Sequence, residues 1–441
     1  MDSARRIAVE VLNQVLKKKA YSNIALGKSL DKSSLASNDK ALVTEIVYGT
    51  LKYKYTIDTI LSLFLKNGLK KIDEDVLNVL RISIYQLRYL DKIPTFAVVN
   101  EAVELAKKKS TGAGKLVNGI LRNYLRNPEI AFYEENDSIK KLCFDYSFPE
   151  WLVNMFISQY SPAEVEKILS GLNLRPAVTV RVNNLKTTYE DAMESLKGLG
   201  YDVSEGQVCP EAIIISKGRN VEDNPLFAEG MISVQDESAM LVAPAMDLKE
   251  NMKVLDLCSA PGGKTCHMAE LMNNTGKIMA FDLHENKLKL INENTSRLGI
   301  TNVVCSKLDA SKYTEKLASQ GDRVLIDVPC SGIGIIRKKP EIKWTKDIEG
   351  TTSLIDIQRK IITNASKYTK AGGKLIYSTC TLNKDENEEN IKWFLNKNPQ
   401  FCLESLYFGK FDNVIYHEEG YVTILPNENM DGFFIAKMKK R

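Results

Sequence analysis

From about residue 230 onward, short apolar runs alternate with stretches of helical period, and this alternation admits few folds. Val254-Leu255-Asp256-Leu257, Lys277–Phe281, Val303-Val304-Cys305, Val324–Val328 and Lys374–Tyr377 read as strands. Helices are expected after the first strand to about 272, then over about 285–298, 352–368 and from Asp385 to Phe394. Late strands at Tyr421–Leu425 and Phe433–Met438 have no full helix between them. Strand and helix in alternation build a doubly wound α/β sheet, and strands joined without a helix add an antiparallel edge. In such sheets ligands bind beyond the carboxyl ends of the strands. The residues that end each strand are therefore the ones to read for chemistry.

At 441 residues the chain exceeds one ordinary core, so two or three domains are expected. Ala4, Ile7, Ala8, Val11, Leu12, Val15 and Leu16 follow helical spacing, as do runs at about 39–65, 73–90, 95–109 and 113–126. An all-helical first domain over 1–128 follows. Residues 129–229 read as a small α+β unit, with strands ending at Val182 and Ile215 around a helix-like stretch at 187–198. The α/β domain then occupies 230–441.

Charge separates these parts. Residues 1–126 hold 22 basic and 12 acidic side chains, leaving 38 basic and 44 acidic in the rest. A basic helical unit joined to a mildly acidic one fits a nucleic-acid-binding module. A solvated lysine-rich surface would carry the same charges. No apolar run reaches the roughly 18 residues of a membrane span. Met1 to Arg6 leads into an amphipathic pattern, not an apolar signal segment. The eight cysteines have no disulfide-framework spacing and read as reduced thiols in a cytoplasmic protein. Cys258, Cys266 and His267 do not match a zinc spacing, so no metal is expected. Nothing points to an obligate dimer, and a monomer is expected.

The first strand of the α/β domain runs into Asp256-Leu257-Cys258-Ser259-Ala260-Pro261-Gly262-Gly263-Lys264-Thr265. Gly262 and Gly263 let backbone approach a ligand. The turn lacks the first glycine of a phosphate-gripping loop and the Gly-x-Gly-x-x-Gly of a dinucleotide site. Asp282 ends the second strand, Asp309 follows the third, and Asp327 lies at the end of the fourth. A carboxylate at the second position can accept ribose hydroxyls, and one after the third an adenine amino group. Clustered acids repel a polyphosphate and suit a sulfonium cation, which favours S-adenosylmethionine over ATP or NAD. Each aspartate could equally cap the helix that follows it.

Two cysteines close this set, Cys330 in Asp-Val-Pro-Cys-Ser-Gly and Cys380 in Ser-Thr-Cys. Most buried cysteines are inert, but two at strand ends beside a ligand crevice point to covalent chemistry. Cytosine C5 is too weak a nucleophile to take a methyl group directly. A thiolate added to C6 makes it an enamine, and a second group must then help release the product. Asp327 is positioned to bind the N3 or N4 edge of the pyrimidine. The residues alone do not say which cysteine attacks.

Asp256–Thr265, Asp327–Gly334, Pro340–Trp344, Ser378-Thr379-Cys380, Glu386-Asn387-Glu388 and Asp431-Gly432-Phe433-Phe434 together resemble the motifs of the RNA cytosine-C5 methyltransferase family. The helical N-terminus resembles the NusB-like RNA-binding domain. The combination is similar to bacterial small-subunit rRNA members of the family. This resemblance implies a class I Rossmann-like methyltransferase domain and S-adenosylmethionine as cofactor. It implies 16S rRNA, free or in an early assembly intermediate, as partner, with cytosine 967 as target. It further implies Cys380 as nucleophile, Cys330 as the release group and Asp327 as their catalytic neighbour. Cys258, Ser259, Ala260, Pro261, Gly262, Gly263, Lys264, Asp282, Asp309 and Asp327 fall on cofactor positions. Val328 stands where the family often has alanine, and Leu308 before Asp309 is less usual. A tRNA cytosine-C5 methyltransferase, and a non-catalytic RNA-binding factor resembling an antitermination protein, are the alternatives.

Overall fold

The computed structural model describes residues 3–65, 67–127, 137–218 and 220–441. The domain boundary expected at 128/129, and Met1 and Asp2, lie outside them. The chain divides into two compact units, one of residues 1–165 with 336–347, the other of 166–335 with 348–441.

The first unit is helical: α1 (Ala4–Lys18), α2 (Ser22–Asp31), α3 (Ser37–Lys52), α4 (Lys54–Phe64), α5 (Glu74–Tyr89), α6 (Thr95–Lys107), α7 (Thr111–Arg126), α8 (Ser138–Tyr146) and α9 (Glu150–Gln159). Ser3 caps α1 by accepting from the Arg6 N–H, and Ile7, Ala8, Val11, Leu12 and Val15 face the core. Every residue of α5 from Val76 to Gln86 is buried, which makes it the central helix. Its one buried cation, Arg81, is held by Asp58 at 2.7 Å and Glu74 at 2.6 Å. In α7, Val117, Ile120, Leu121 and Tyr124 turn inward while Lys115, Arg122 and Arg126 stay exposed. Helix α2 was not expected: it has no side-chain cap, and Ser22, Ala25 and Leu26 are its only buried residues, too few for a periodic signal.

Residues 336–347 belong to this unit, although the sequence groups Pro340–Trp344 with the catalytic motifs. Glu341 accepts from the Ser22 N–H at 3.0 Å and hydroxyl at 2.7 Å. The Trp344 indole N–H donates to the Leu51 carbonyl at 2.7 Å. Lys343 is buried, donates to the carbonyls of Lys52 and Ser147, and lies 3.6 Å from the Phe148 ring centroid. These side chains anchor the segment among the helices.

The second unit begins within α10 (Pro162–Gly171) and carries two sheets. The smaller holds β1 (Val178–Val182), β2 (Asp202–Glu205), β3 (Ala212–Lys217) and β4 (Ile232–Val234) in the order β2-β3-β1-β4, with α11 (Tyr189–Gly198) beside it. Three one-turn helices follow or precede β4: α12 (Pro225–Ala228), α13 (Glu237–Met240) and α14 (Val242–Ala245).

The larger sheet holds β5 (Lys253–Asp256), β6 (Lys277–Asp282), β7 (Val303–Lys307), β8 (Gly321–Asp327) and β9 (Thr369–Thr379) as parallel neighbours. Their connections carry α15 (Gly263–Leu271), α16 (Glu285–Leu298), the one-turn α17 (Ile342–Thr345) and α18 (Ile348–Tyr368). The doubly wound reading therefore stands. The antiparallel edge is larger than the expected pair: after α19 (Glu388–Lys397) come β10 (Phe401–Leu403), β11 (Val414–Tyr416), β12 (Val422–Ile424) and β13 (Phe433–Lys440). The order is β11-β12-β13-β9-β8-β5-β6-β7, with β10 also on β13. Strands β10 and β11 have three residues each, too short to show period-two alternation. Helix α19 starts three residues later than expected because Asn387 is non-helical (φ −111, ψ −97) and its side chain is bonded to Thr379 and Thr381.

Candidate active site

The register of the large sheet explains why the two cysteines meet. Strands β8 and β9 are parallel neighbours, with Asp327 opposite Ser378. Chain leaving both strands at the same end brings the Cys330 and Cys380 sulfurs to 3.4 Å. The hydrogen bond to Cys380, then burial, pushes the Cys330 thiol well above its ordinary range. The two sulfurs are within hydrogen-bond reach, and either can donate to the other.

The loops bearing them are stitched together by backbone. The Gly334 N–H donates to the Cys380 carbonyl at 2.9 Å, and the Gly432 N–H to the Gly334 carbonyl at 3.0 Å. A Cβ on Gly334 would sit 2.1 Å from the Gly432 oxygen, so glycine is required for this approach. The Asp431-Gly432-Phe433 motif acts here through its backbone. The Lys264 ammonium also lies 5.1 Å from the Phe433 ring centroid.

Next to the cysteines, the β5–α15 turn borders a cleft of about 190 Å³. Of the predicted cofactor residues, Cys258, Ser259, Ala260, Pro261, Gly263, Lys264 and Asp327 line it. Gly262 does not, but its φ of +104 allows the turn to enter α15. Ser259 fixes the turn to the end of β6, with both N–H and hydroxyl donating to the Phe281 carbonyl at 2.8 Å.

The remaining acids are arranged differently from the expectation of three carboxylates around a cation. Asp327 is bound on one oxygen by Lys264 at 2.7 Å and on the other by the Ser378 hydroxyl at 2.8 Å. Burial works against the Lys264 charge, but Asp327 and, after it, Cys380 hold its pKa above the ordinary lysine value. The lysine therefore offsets one of the expected negative charges. Asp282 is buried and accepts from the His284 N–H at 2.9 Å, at the start of α16. Asp309 is turned into its own loop, where the Ser311 hydroxyl at 2.6 Å holds it below the usual carboxylate range, with Lys312 adding to this. One oxygen of each is spent on a bond within its own loop, and neither side chain caps a helix. Neither lines the cleft.

Four cleft residues were not singled out by sequence. Val234 ends β4 and Gln235 follows it, Ala239 lies in α13, and Asp256 ends β5. Asp256 is 1% exposed, accepts from Thr265 at 2.7 Å, and has no hydrogen-bond partner on its Oδ1. Burial, with Asp327 adding to it, raises its pKa to about 7. Its place in the first motif was the available signal. Behind the turn, Arg181 is fully buried, binds both oxygens of Glu270 and donates to Gln235 and to the Gly263 carbonyl. The small sheet thus reaches the turn through one side chain. Among the described residues no group of three or more His, Cys, Asp or Glu gathers around a common point. No described helix is long and apolar enough to cross a membrane.

A carboxyl that ionises near pH 3.8 when unfolded and near 7 when folded binds its proton more tightly in the native state. Its contribution to stability is present below the lower value and is lost as pH rises through the upper one. Stability should fall with pH between about 4 and 7, by at most roughly 1.4 kcal/mol per unit for this group. Glu388, raised to about 7 by burial, adds to the same slope. Asp256→Asn should flatten the dependence of the urea midpoint between pH 5 and 7. An unchanged slope would remove Asp256 as its source.

Comparison with known proteins bears on the family and the fold. Residues 243–439 match the model of the 16S rRNA methyltransferase RsmB/F family, 2–126 the NusB family, and 148–222 the ferredoxin-like domain of RsmF/B-like methyltransferases. The chain is 38% identical to a Bacillus subtilis protein named "Probable ribosomal RNA small subunit methyltransferase B", covering 100% of this chain and 99% of that protein. It is 31% identical to the ribosomal RNA small subunit methyltransferase B of Shewanella oneidensis, over 99% of each. A solved structure of a protein named PH0851 aligns over 100% of this chain and 99% of its own, with TM-score 0.84 and 27% identity. A methyltransferase homolog from Pyrococcus horikoshii aligns over 69% of this chain and 100% of its own, with TM-score 0.61 and 28% identity. From its full-length relatives, its three matched domains and its sheet, the chain belongs to the 16S rRNA methyltransferase RsmB/F family.

Proposed function

We propose that this methyltransferase moves a methyl group from S-adenosylmethionine to C5 of a cytosine in 16S rRNA, with position 967 the expected base, through a covalent bond between Cys380 and C6. The observation that carries the reading is the 3.4 Å approach of two thiols at the ends of adjacent parallel strands.

The cleft fits the cofactor. Its glycine turn admits a ligand close to backbone, and the buried Asp256 Oδ1 offers an acceptor with no partner of its own. Asp256, the 258–264 turn and Asp327 would hold the bound molecule, with Asp282 and Asp309 as further proposed contacts. S-adenosylmethionine supplies an electrophilic methyl group. The protein supplies the nucleophile: the Cys380 thiolate bonds to C6, and the electron pair displaced from the C5–C6 bond makes C5 reactive. The Cys330 sulfur at 3.4 Å and the nearby Lys264 ammonium stand beside that sulfur. After transfer the C5 proton leaves, the C5–C6 double bond re-forms and the Cys380–C6 bond breaks. Cys330 is the proposed group that assists this release. Asp327, held by Lys264 and Ser378, keeps free lone pairs for the pyrimidine N3 or N4 edge. The target must be turned out of its stack to reach the pair.

Bisulfite sequencing of 16S rRNA, from a strain lacking the protein and from the complemented strain, tests the reading. One cytosine should convert only in the strain lacking it. An unchanged 16S pattern with loss of protection in a tRNA would move the substrate to tRNA. No change in either, with no S-adenosylmethionine binding in calorimetry, would leave a non-catalytic RNA-binding protein.

A further inference from the structure

The thiol loops share one buried partner. Glu386 is fully buried in the turn before α19. Its Oε2 accepts from the Ser331 N–H at 2.8 Å and from Gln358 at 2.9 Å. Its Oε1 accepts from the Ser331 hydroxyl at 2.5 Å, Thr381 at 3.3 Å and Asn383 at 3.4 Å. Ser331 follows Cys330, and Thr381 follows Cys380. Gln358 also donates to the Pro329 carbonyl at 3.0 Å, so both neighbours of Cys330 are tied to one network. The Ser331 and Thr381 hydroxyls are themselves 2.7 Å apart. On its main chain, Glu386 accepts from the Tyr377 hydroxyl at 2.5 Å.

All five donors to this carboxylate are neutral. Apolar packing would fill the same space without desolvating a carboxylate. A fully satisfied buried network instead imposes one geometry on whatever it joins. Here it joins the two loops whose sulfurs must act on neighbouring carbons of one pyrimidine.

We infer that Glu386 is a positioning residue for the reaction: its carboxylate clamps the residues after both cysteines and so sets the spacing of the nucleophile and its release partner. This rests on the reading of Cys380 and Cys330 proposed above. Glu386 lies outside the cofactor cleft, so its loss acts on the chemical step and not on cofactor affinity.

The experiment compares Glu386→Ala with Glu386→Gln in the full-length protein. The amide keeps the shape, and the Ser331 and Thr381 hydroxyls can reverse to accept from it. In the alanine variant kcat should fall about 100-fold, the cost of misplacing reacting groups by an ångström. KM for RNA and S-adenosylmethionine affinity should stay within about twofold, as expected for an interaction felt only in the transition state. The glutamine variant should recover about tenfold of the lost rate. If the alanine variant does not fold, Ser331→Ala with Thr381→Val removes the same hydroxyl contacts and should show the same split. A folded variant whose kcat stays within about threefold of wild type overturns the inference, as does parallel loss of cofactor binding and rate in every variant. Full activity in Cys380→Ala would instead sink the underlying assignment, whatever the Glu386 variants do.

Discussion

Cys380→Ala should lose methyl transfer to naked 16S rRNA by more than about a thousandfold, the scale on which a covalent nucleophile is felt. Cofactor binding should persist, because the Cys380 side chain is not part of the cleft lining. The substitution is also mild for the fold. Cys380 is held by its backbone, whose carbonyl accepts from Gly334, and by its neighbours Thr379 and Thr381. Radiolabelled methyl transfer and calorimetric S-adenosylmethionine titration on the same preparation separate the two effects. Transfer retained within about tenfold of wild type would refute Cys380 as nucleophile, since another group would then have to add to C6.

Much of the fold behind that chemistry is legible in the amino-acid sequence. Strands ending in Asp256, Asp282 and Asp327 were readable because apolar runs between helical stretches have few other solutions. The site was legible as a set of residue types, since the turn and both thiols sit where strands end. Their partnerships were not. Nothing in the spacing of Lys264 and Asp327, 63 residues apart, announces a 2.7 Å pair that removes one negative charge from the crevice. Side chains that bond within their own loop, as Asp309 does with Ser311, cannot be told by sequence from side chains that await a ligand.

The Pro340–Trp344 motif carries the family resemblance, but its spacing gives no sign of where it packs. Glu341 and Trp344 are committed to Ser22 and Leu51 in the helical unit, contacts separated by about 300 residues of chain. The Glu386 motif shows the reverse. It read as a family marker without a role, and its carboxylate turns out to bridge Ser331 and Thr381. Long-range polar networks leave no periodic trace, so they are the part of a site that only three-dimensional structure yields.

Cys330→Ala should behave unlike Cys380→Ala and accumulate a covalent protein–RNA adduct, seen as a band of reduced mobility on a denaturing gel. Before addition, the bond to Cys380 is the largest influence raising the Cys330 pKa, with burial second. Once Cys380 has become a thioether on C6, that bond and the Cys380 charge are gone. Cys330 then ionises more readily, at the stage when the C5 proton has to leave. Alanine at 330 leaves the first half of the cycle intact: Pro329 and Ser331 remain tied to Gln358 and Glu386, so the loop stays in place. Addition and methyl transfer proceed, and elimination stalls. The adduct should require both S-adenosylmethionine and a cytosine with hydrogen at C5. Its appearance in Cys380→Ala instead would exchange the two roles, and its absence from both variants would leave Cys330 outside the release step.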